Sequence, residues 1–330
     1  DISVLLNPDQ NRQDKETAEN RLWDIMVHNI QSYGQLIKYV STLPETLHMV
    51  RLGSDILPVY TESTWSYYWQ KAEVRAYCER ELGIVGAFAR DKDIKLSMHP
   101  GQFTVLASDN DEIVQRSIEE FEYHVDIARW MGYGNQFQDF KINVHIAGRK
   151  GPEGIKAVLS KLTPEARNTI TIENDETKWG LDASLQLEND LALVLDIHHH
   201  WVNSGEYIQP TDDRYQRVVD SWRGVRPTIH YSYSRNEHLP PDFQHNCFPN
   251  MQILLENGYK KQKLRAHSDF YPNSSVNNWA LSFLDSADIM CESKCKNLAS
   301  IELYEYYLKN KKFLYPELSN QQNSFLARVA

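Results

Sequence analysis

Along the chain, short runs rich in Val, Ile and Leu alternate with longer stretches in which apolar residues recur every three or four positions. The short runs fall at about 2–6, 48–52, 94–98, 141–146, 169–173, 191–196, 227–231 and 288–291. Their length and β-branched content predict buried strands. Segments 15–42, 65–91 and 111–132 have helical spacing, and in the first of them Leu22, Met26, Ile30, Tyr33, Leu36 and Ile37 carry the apolar pattern. Strand-like runs separated by helical crossovers predict parallel βα units. Eight such units closed on themselves give a single-domain α/β fold, the (β/α)8 or TIM barrel. An open doubly wound sheet is the alternative; as a nucleotide binder it would need a Gly-rich phosphate turn after its first strand, and the sequence has none. No nucleotide cofactor is therefore expected. The chain opens on Ile2-Ser3-Val4-Leu5-Leu6 without an initiating Met, so a first strand incomplete at its start is expected. No Gly-, Pro- or Ser-rich linker divides the sequence. The barrel is assigned to residues 1–303, and the aromatic and charged segment 304–330 reads as a C-terminal helix or tail packed on it.

Composition narrows the class. A length of 330 residues suits one such barrel, and 41% apolar against 24% charged residues suits a water-exposed protein with a sizeable core. No apolar run is long enough for a membrane span, and no charged-then-apolar signal segment opens the chain. The expectation is a protein with no membrane partner that is not secreted: cytoplasmic, and nucleoid-associated in a prokaryote or a virus-infected cell. Cys78, Cys247, Cys291 and Cys295 have neither the density of a disulfide framework nor Cys-x-x-Cys spacing, and read as reduced, buried thiols. The formal charge of −10 argues against a nucleic-acid partner. Divalent ions bound within a site would cancel part of it, and binding depends on the local face. Lys260, Lys261, Lys263 and Arg265 form either such a basic face or a solvated loop; charge does not separate the two.

The candidate chemistry lies just beyond the strand-like runs. Leu96-Ser97-Met98 is followed by His99-Pro100-Gly101-Gln102, and Ile142-Asn143-Val144 by His145. Ile170-Thr171-Ile172 leads to Glu173-Asn174-Asp175, and Leu193-Val194-Leu195 to Asp196-Ile197-His198-His199-His200. Thr228-Ile229 leads to His230, and Asp288-Ile289-Met290 leads, one residue on, to Glu292. Taken singly, such a histidine is an ordinary hydrogen-bonded loop residue and such a carboxylate a helix N-cap. Six in register at the C-terminal ends of consecutive strands, where barrels build their sites, argue for a metal centre. Imidazole suits Zn²⁺, Mn²⁺ and Fe²⁺, while carboxylates suit harder ions and bridge pairs of them. The set exceeds what one ion takes, so two or three ions are expected, with Glu173 and Asp196 as the bridging groups. Ions so placed activate water near neutral pH and stabilise both oxygens of an in-line phosphoryl displacement. His198 and His200 read as supporting groups. His267, between the seventh and eighth runs, is ambiguous by position.

As an ordered set these motifs resemble the UV damage endonuclease family from about residue 17 to 300. The resemblance is carried by Arg51-Leu52-Gly53-Ser54-Asp55-Ile56-Leu57-Pro58, Ser97-Met98-His99-Pro100-Gly101-Gln102-Phe103 and Glu122-Tyr123-His124. It continues through Val144-His145, Ile172-Glu173-Asn174-Asp175 and Asp196-Ile197-His198-His199. Ile229-His230-Tyr231-Ser232, Ala266-His267-Ser268-Asp269 and the stretch from Asp288 to Lys294 complete it. That family consists of TIM barrels related in site design to apurinic-site endonucleases and, more distantly, to xylose-isomerase-type enzymes. The resemblance implies a monomeric DNA repair endonuclease that binds damaged double-stranded DNA. Such an enzyme hydrolyses the phosphodiester bond 5′ to UV photoproducts (pyrimidine dimers, 6-4 photoproducts) and other distorting lesions. It implies His99, His145, Glu173, Asp196, His199, His230, His267 and Glu292 as ligands of two or three divalent ions, manganese first, with zinc or magnesium as alternatives. Glu173, Asp196, His230 and Glu292 would carry the catalysis. Gln102 and Phe103 would wedge into the duplex at the extruded bases, and Arg51 and Lys294 would contact phosphate or support the metals.

Three positions depart from the family. Tyr60-Thr61-Glu62-Ser63 replaces a histidine after the second strand. Thr228 replaces a lysine that is carboxylated in some members, and the family's first-strand Tyr and Asn have no match in Ile2–Asn7. The expected consequences are a weaker third ion, and a change in substrate, metal use or activity, with Glu62 repelling phosphate. Two other readings stand beside the first: a barrel enzyme of the same superfamily acting on a sugar or peptide, and a catalytically silent binder of damaged DNA.

Overall fold

The apolar spacing of the first helical segment becomes one buried face. In helix α1 (Lys15–Val40), Ala18, Leu22, Met26, Ile30, Tyr33, Ile37 and Val40 are buried, the stripe of a helix laid on a core. The computed structural model describes residues 15–314 and 328. Seven short strands are described: β1 (Met49–Leu52), β2 (Lys95–Met98), β3 (Lys141–His145), β4 (Ile170–Glu173), β5 (Ala192–Val194), β6 (Thr228–Tyr231) and β7 (Asp288–Cys291). The run expected to form the first strand, at 2–6, lies outside the described residues.

Strands β1 to β5 pair in chain order and all in parallel, and β6 pairs in parallel with β7. A parallel bridge between Asp196 and His230 joins the two groups, with the His230 N–H donating to the Leu195 carbonyl at 3.0 Å. On the remaining side of the ring, side chains span from β1 and β2 to β7: Arg51 reaches Glu292 and Lys95 reaches Asp288. The Arg328 carbonyl accepts a hydrogen bond from Ile289 on β7. The architecture is α/β, a TIM barrel in one domain. Every residue of β4 and β6 is buried, as expected of parallel strands covered on both faces.

Long helices follow the strands: α2 (Ala72–Asp91), α3 (Asp111–Trp130), α4 (Gly151–Leu159), α5 (Ile197–Ser204), α6 (Asp213–Asp220), α7 (Ser274–Leu281) and α8 (Asn297–Leu314). The helical stretch expected at 65–91 is broken in two. A four-residue helix, Ser66–Trp69, precedes α2, and Lys71 between them is extended. The break turns Tyr68 and Trp69 into the core while Lys71 pairs with Glu19 of α1 at 2.7 Å. Two helix starts bear on the site. Asn110 caps α3 by accepting from Glu112 and Ile113 N–H, and Asp196 caps α5 by accepting from His198 and His199 N–H. Cys78 is fully buried, whereas Cys247, Cys291 and Cys295 are partly exposed; all four thiols are free. No helix among the described residues is long and apolar enough to cross a membrane.

Candidate metal centre

Alternation along the strands delivers the polar groups to one place. In β3 the sequence Lys141-Ile142-Asn143-Val144-His145 sets Lys141, Asn143 and His145 on one face, and in β4 Thr171 and Glu173 share a face in the same way. Glu173 lies at the centre and is fully buried. Its Oε2 is 3.3 Å from His99 Nε2 and 3.9 Å from His145 Nδ1. Its Oε1 is 3.2 Å from His230 Nδ1 and 3.5 Å from His199 Nδ1. His230 Nδ1 is also 3.3 Å from Glu292 Oε1. Ligand atoms of His99, His145 and Glu173 lie within 4.8 Å of one another, as do those of Glu173, Asp196, His230 and Glu292. Glu173 belongs to both groups.

Neighbouring contacts fix which atoms face inward. His99 Nδ1 lies 3.0 Å from the Pro100 carbonyl and Nε2 3.3 Å from Glu173 Oε2, so Nε2 is the ring atom that faces the centre. His199 Nδ1 donates to the Asn174 carbonyl at 3.1 Å, which leaves Nε2 toward Asp196 Oδ2, 3.8 Å away. Asn174 in turn holds the Asp196 backbone at both ends: its Nδ2 donates to the carbonyl and its Oδ1 accepts the N–H. Thr171 Oγ1 donates to Asn143 Oδ1 at 2.8 Å, and Asn143 Nδ2 donates to Glu173 Oε2. Asp196 Oδ1 accepts both capping bonds of α5, while Asp196 Oδ2 and His145 Nδ1 are buried without a hydrogen-bond partner. Buried polar atoms left unpaired in this way call for a partner. A mixed imidazole and carboxylate set aimed at common points fits borderline divalent ions.

The charge states follow from burial and proximity. Burial pushes the Glu173 carboxyl up, but His230 and His145, with hydrogen bonds from His230 and His99, outweigh it and hold the group well below its usual range. Burial dominates at Asp196 and, aided by Glu173 and Glu292, raises it well above the usual value against the pull of His199. Burial, with Lys141 adding to it, lowers His230 to about 4. His199 is disfavoured as a cation by burial, yet Asp196, Glu173, Glu176 and Glu292 raise it to about 9. Without ions, protons reside on Asp196 and His199.

The remaining residues singled out by sequence are placed as follows. The His267 ring lies 6.4 Å from that of His199, outside both ligand groups. His198 stacks on Trp201 and bonds the Leu264 carbonyl, and His200 pairs with Glu206, so both face away from Glu173. Arg51 pairs with Glu292. Lys294 is exposed on the turn after β7. Gln102 and Phe103 lie on the turn after β2, with the Phe103 side chain 84% exposed, which removes core packing as its role. In the basic cluster, Lys261 bonds the Asn203 carbonyl and Arg265 pairs with Glu176, while Lys260 and Lys263 remain exposed. Glu62 accepts from Thr64 and Trp65 N–H and so caps its own turn. Thr228 is buried two residues before His230 on the same face of β6. Sequence reasoning passed over Lys141, Asn143, Thr171, Asn174 and Glu176; the period-two alternation in β3 and β4 carried the signal for the first three.

A model of the UV-endonuclease UvdE family matches residues 7–316. A UV DNA damage endonuclease of Bacillus mycoides (strain KBAB4) is 23% identical over 301 residues, covering 88% of this chain and 84% of its own. One of Clostridium perfringens (strain 13 / Type A) is 24% identical over 300 residues, covering 87% of this chain and 64% of its own. The crystal structure of SacUVDE superposes with a TM-score of 0.70 at 23% identity, covering 89% of this chain and 90% of that one.

Proposed function

We propose, from the premise that this chain belongs to the UV-endonuclease UvdE family, that it is a divalent-ion-dependent endonuclease cutting damaged double-stranded DNA 5′ to UV photoproducts. One barrel domain does the work; the boundary expected at 303/304 falls inside α8 (Asn297–Leu314), which is continuous across it. The observation that carries the reading is the sharing of Glu173 between two ligand groups, the arrangement a two-ion phosphoryl-transfer centre needs. The two groups, with His199 and His267 beside them, would hold two or three ions, manganese first, with zinc or magnesium as alternatives. Bound ions would activate water and offset the charge that builds on the phosphate.

The protein's own groups prepare that step. Asn143 and Thr171 hold the Glu173 carboxylate in place, and Asn174 holds the backbone of Asp196. Arg51 sits against Glu292, where it orients that carboxylate and faces an incoming phosphate. Lys294, exposed on the same rim, supplies a second cationic contact to the DNA backbone. Gln102 and the exposed Phe103 ring replace lost stacking where photoproducts leave the helix. An aromatic side chain so far out of the core supports a large substrate over a sugar or peptide.

Cleavage of irradiated and unirradiated duplex in Mn²⁺ tests the reading. The expected result is a single cut on the 5′ side of photoproducts, in irradiated DNA alone. Equal cutting of both duplexes, or none, overturns it.

A further inference from the structure

Lys141 opens β3 with its side chain inside the barrel, 7% exposed. Its Nζ lies 2.8 Å from His230 Nε2. The opposite ring nitrogen, Nδ1, faces the two carboxylates at 3.2 and 3.3 Å. A half-turn of the imidazole about its attachment would exchange Nδ1 for a carbon and aim the lone pair away from both carboxylates. The ring of His230 is fully buried, and the carboxylates of Glu173 and Glu292 contact one edge of it. The Lys141 amine beneath Nε2 holds that setting from the other side: in its neutral form it accepts the Nε2–H, which leaves the Nδ1 lone pair to the ion, and the half-turn would leave it facing carbon. Thr228, on the same strand face as His230, and Lys141 both line a cavity of about 150 Å³ toward the N-terminal ends of the strands.

We propose that Lys141 is a positioning residue for the ion held by Glu173, Asp196, His230 and Glu292, fixing the His230 ring so that Nδ1 faces that ion. The proposal rests on the reading of His230 as a metal ligand. It is separable from a purely structural role, because a buried amine is costly to desolvate, and an apolar side chain of similar volume in its place is commonly neutral or stabilising. It is also separable from a counter-charge role. If Lys141 served to neutralise Glu173 and Glu292, its removal would leave those carboxylates freer to take a cation, and ions would bind more tightly. Positioning requires the opposite sign.

The test is titration of the chelator-stripped full chain with Co²⁺, whose visible absorption reports ligand geometry, in the unmodified protein, Lys141→Met and Lys141→Gln. The unmodified chain is expected to take up at least two equivalents. In K141M the ion at His99, His145 and Glu173 binds unchanged, while the second ion weakens by about tenfold or more, the scale of losing a group that orients a metal ligand. Its absorption band shifts, and the melting temperature of the metal-free protein does not fall. In K141Q the amide restores most of the second-ion affinity. Unchanged or tighter binding of both ions by K141M overturns the positioning role and leaves the metal centre standing. Absence of Co²⁺ uptake by the unmodified chain overturns the metal centre and this role with it. Should K141M not fold, a crystal structure of the Co²⁺-loaded unmodified chain decides: Nζ on His230 Nε2 with Nδ1 on the ion supports the role, and Lys141 turned elsewhere overturns it.

Discussion

Asp196 divides its carboxylate between two tasks: Oδ1 accepts the N–H groups of His198 and His199 at the start of α5, and Oδ2, 3.8 Å from His199 Nε2, is buried without a hydrogen bond. The helix cap therefore fixes the direction of Oδ2, the candidate ligand atom. His199 sits on the same turn and is raised to about 9 by the surrounding carboxylates, so it is protonated near neutral pH in the metal-free protein. Its folded value exceeds the ordinary 6.5. The stability it contributes is thus complete below that value and is lost as pH rises toward 9. An ion seated on Nε2 has to displace this proton. Apparent affinity for divalent ions should accordingly rise with pH by up to about tenfold per unit and level off near pH 9. Calorimetric titration with Mn²⁺ across that range checks it, and a flat profile removes His199 from the ligand set. Phe103 gives a second prediction at this scale. With the side chain 84% exposed, Phe103→Ala should alter folding stability by no more than about 0.5 kcal/mol. Loss of one base–aromatic stack is worth about 1–3 kcal/mol, so cutting of irradiated duplex should fall roughly five- to hundredfold. Retained cutting would return Phe103 to the status of an ordinary exposed ring.

Among the elements, β3 shows what could be read in advance. His145 was legible because it ends an apolar run, whereas Lys141 and Asn143 were counted as part of that run and given no role. Paired in parallel between β2 and β4, the same alternation puts all three on the inner face, and polar residues there act as supports of the centre. Asn174 and Glu176 were not legible, because their partners, the Asp196 backbone and the His199 ring, become neighbours only once the strands are side by side. The loops that follow strands are also tied to one another. Gly148, after β3, has φ +106°, and a Cβ there would stand 2.3 Å from the Ala107 carbonyl in the loop after β2. That approach packs the loop beyond His145 against the one that carries Gln102 and Phe103. Gly148→Ala combines left-handed strain with a backbone clash and should cost at least about 2 kcal/mol by denaturant unfolding. Gly224→Ala, also at positive φ but with nothing within 4 Å of the added carbon, isolates the strain alone and should cost about 1–2 kcal/mol. Equal costs for the two would mean that the contact between loops is soft.

For the whole molecule, a formal charge of −10 has to be reconciled with a polyanionic substrate. The class of fold was legible from eight alternating runs. The concentration of charge was not, because carboxylates distant in sequence, Glu173, Asp196 and Glu292, meet only when the sheet curves into a ring. Stripped of ions, that end of the barrel presents buried carboxylates to DNA, with Arg51 tied to Glu292 and Arg265 to Glu176. Filled with divalent ions, the same end turns locally positive, and exposed Lys260, Lys263 and Lys294 add to a field that depends on ionic strength. Affinity for undamaged duplex, which isolates the electrostatic part of recognition, should therefore be strengthened at least about tenfold by Mn²⁺ relative to chelated protein, since even one added cationic contact is worth about 1.4 kcal/mol at close range. In Mn²⁺ it should also fall steeply with added salt; three to five phosphate contacts imply a loss of roughly forty- to several-hundredfold between about 50 and 200 mM. Fluorescence anisotropy of a labelled duplex reads both effects. Binding insensitive to chelation would place the DNA away from the centre, on a basic surface that the ions do not influence, and binding insensitive to salt would mean that the phosphate backbone is not what the protein holds.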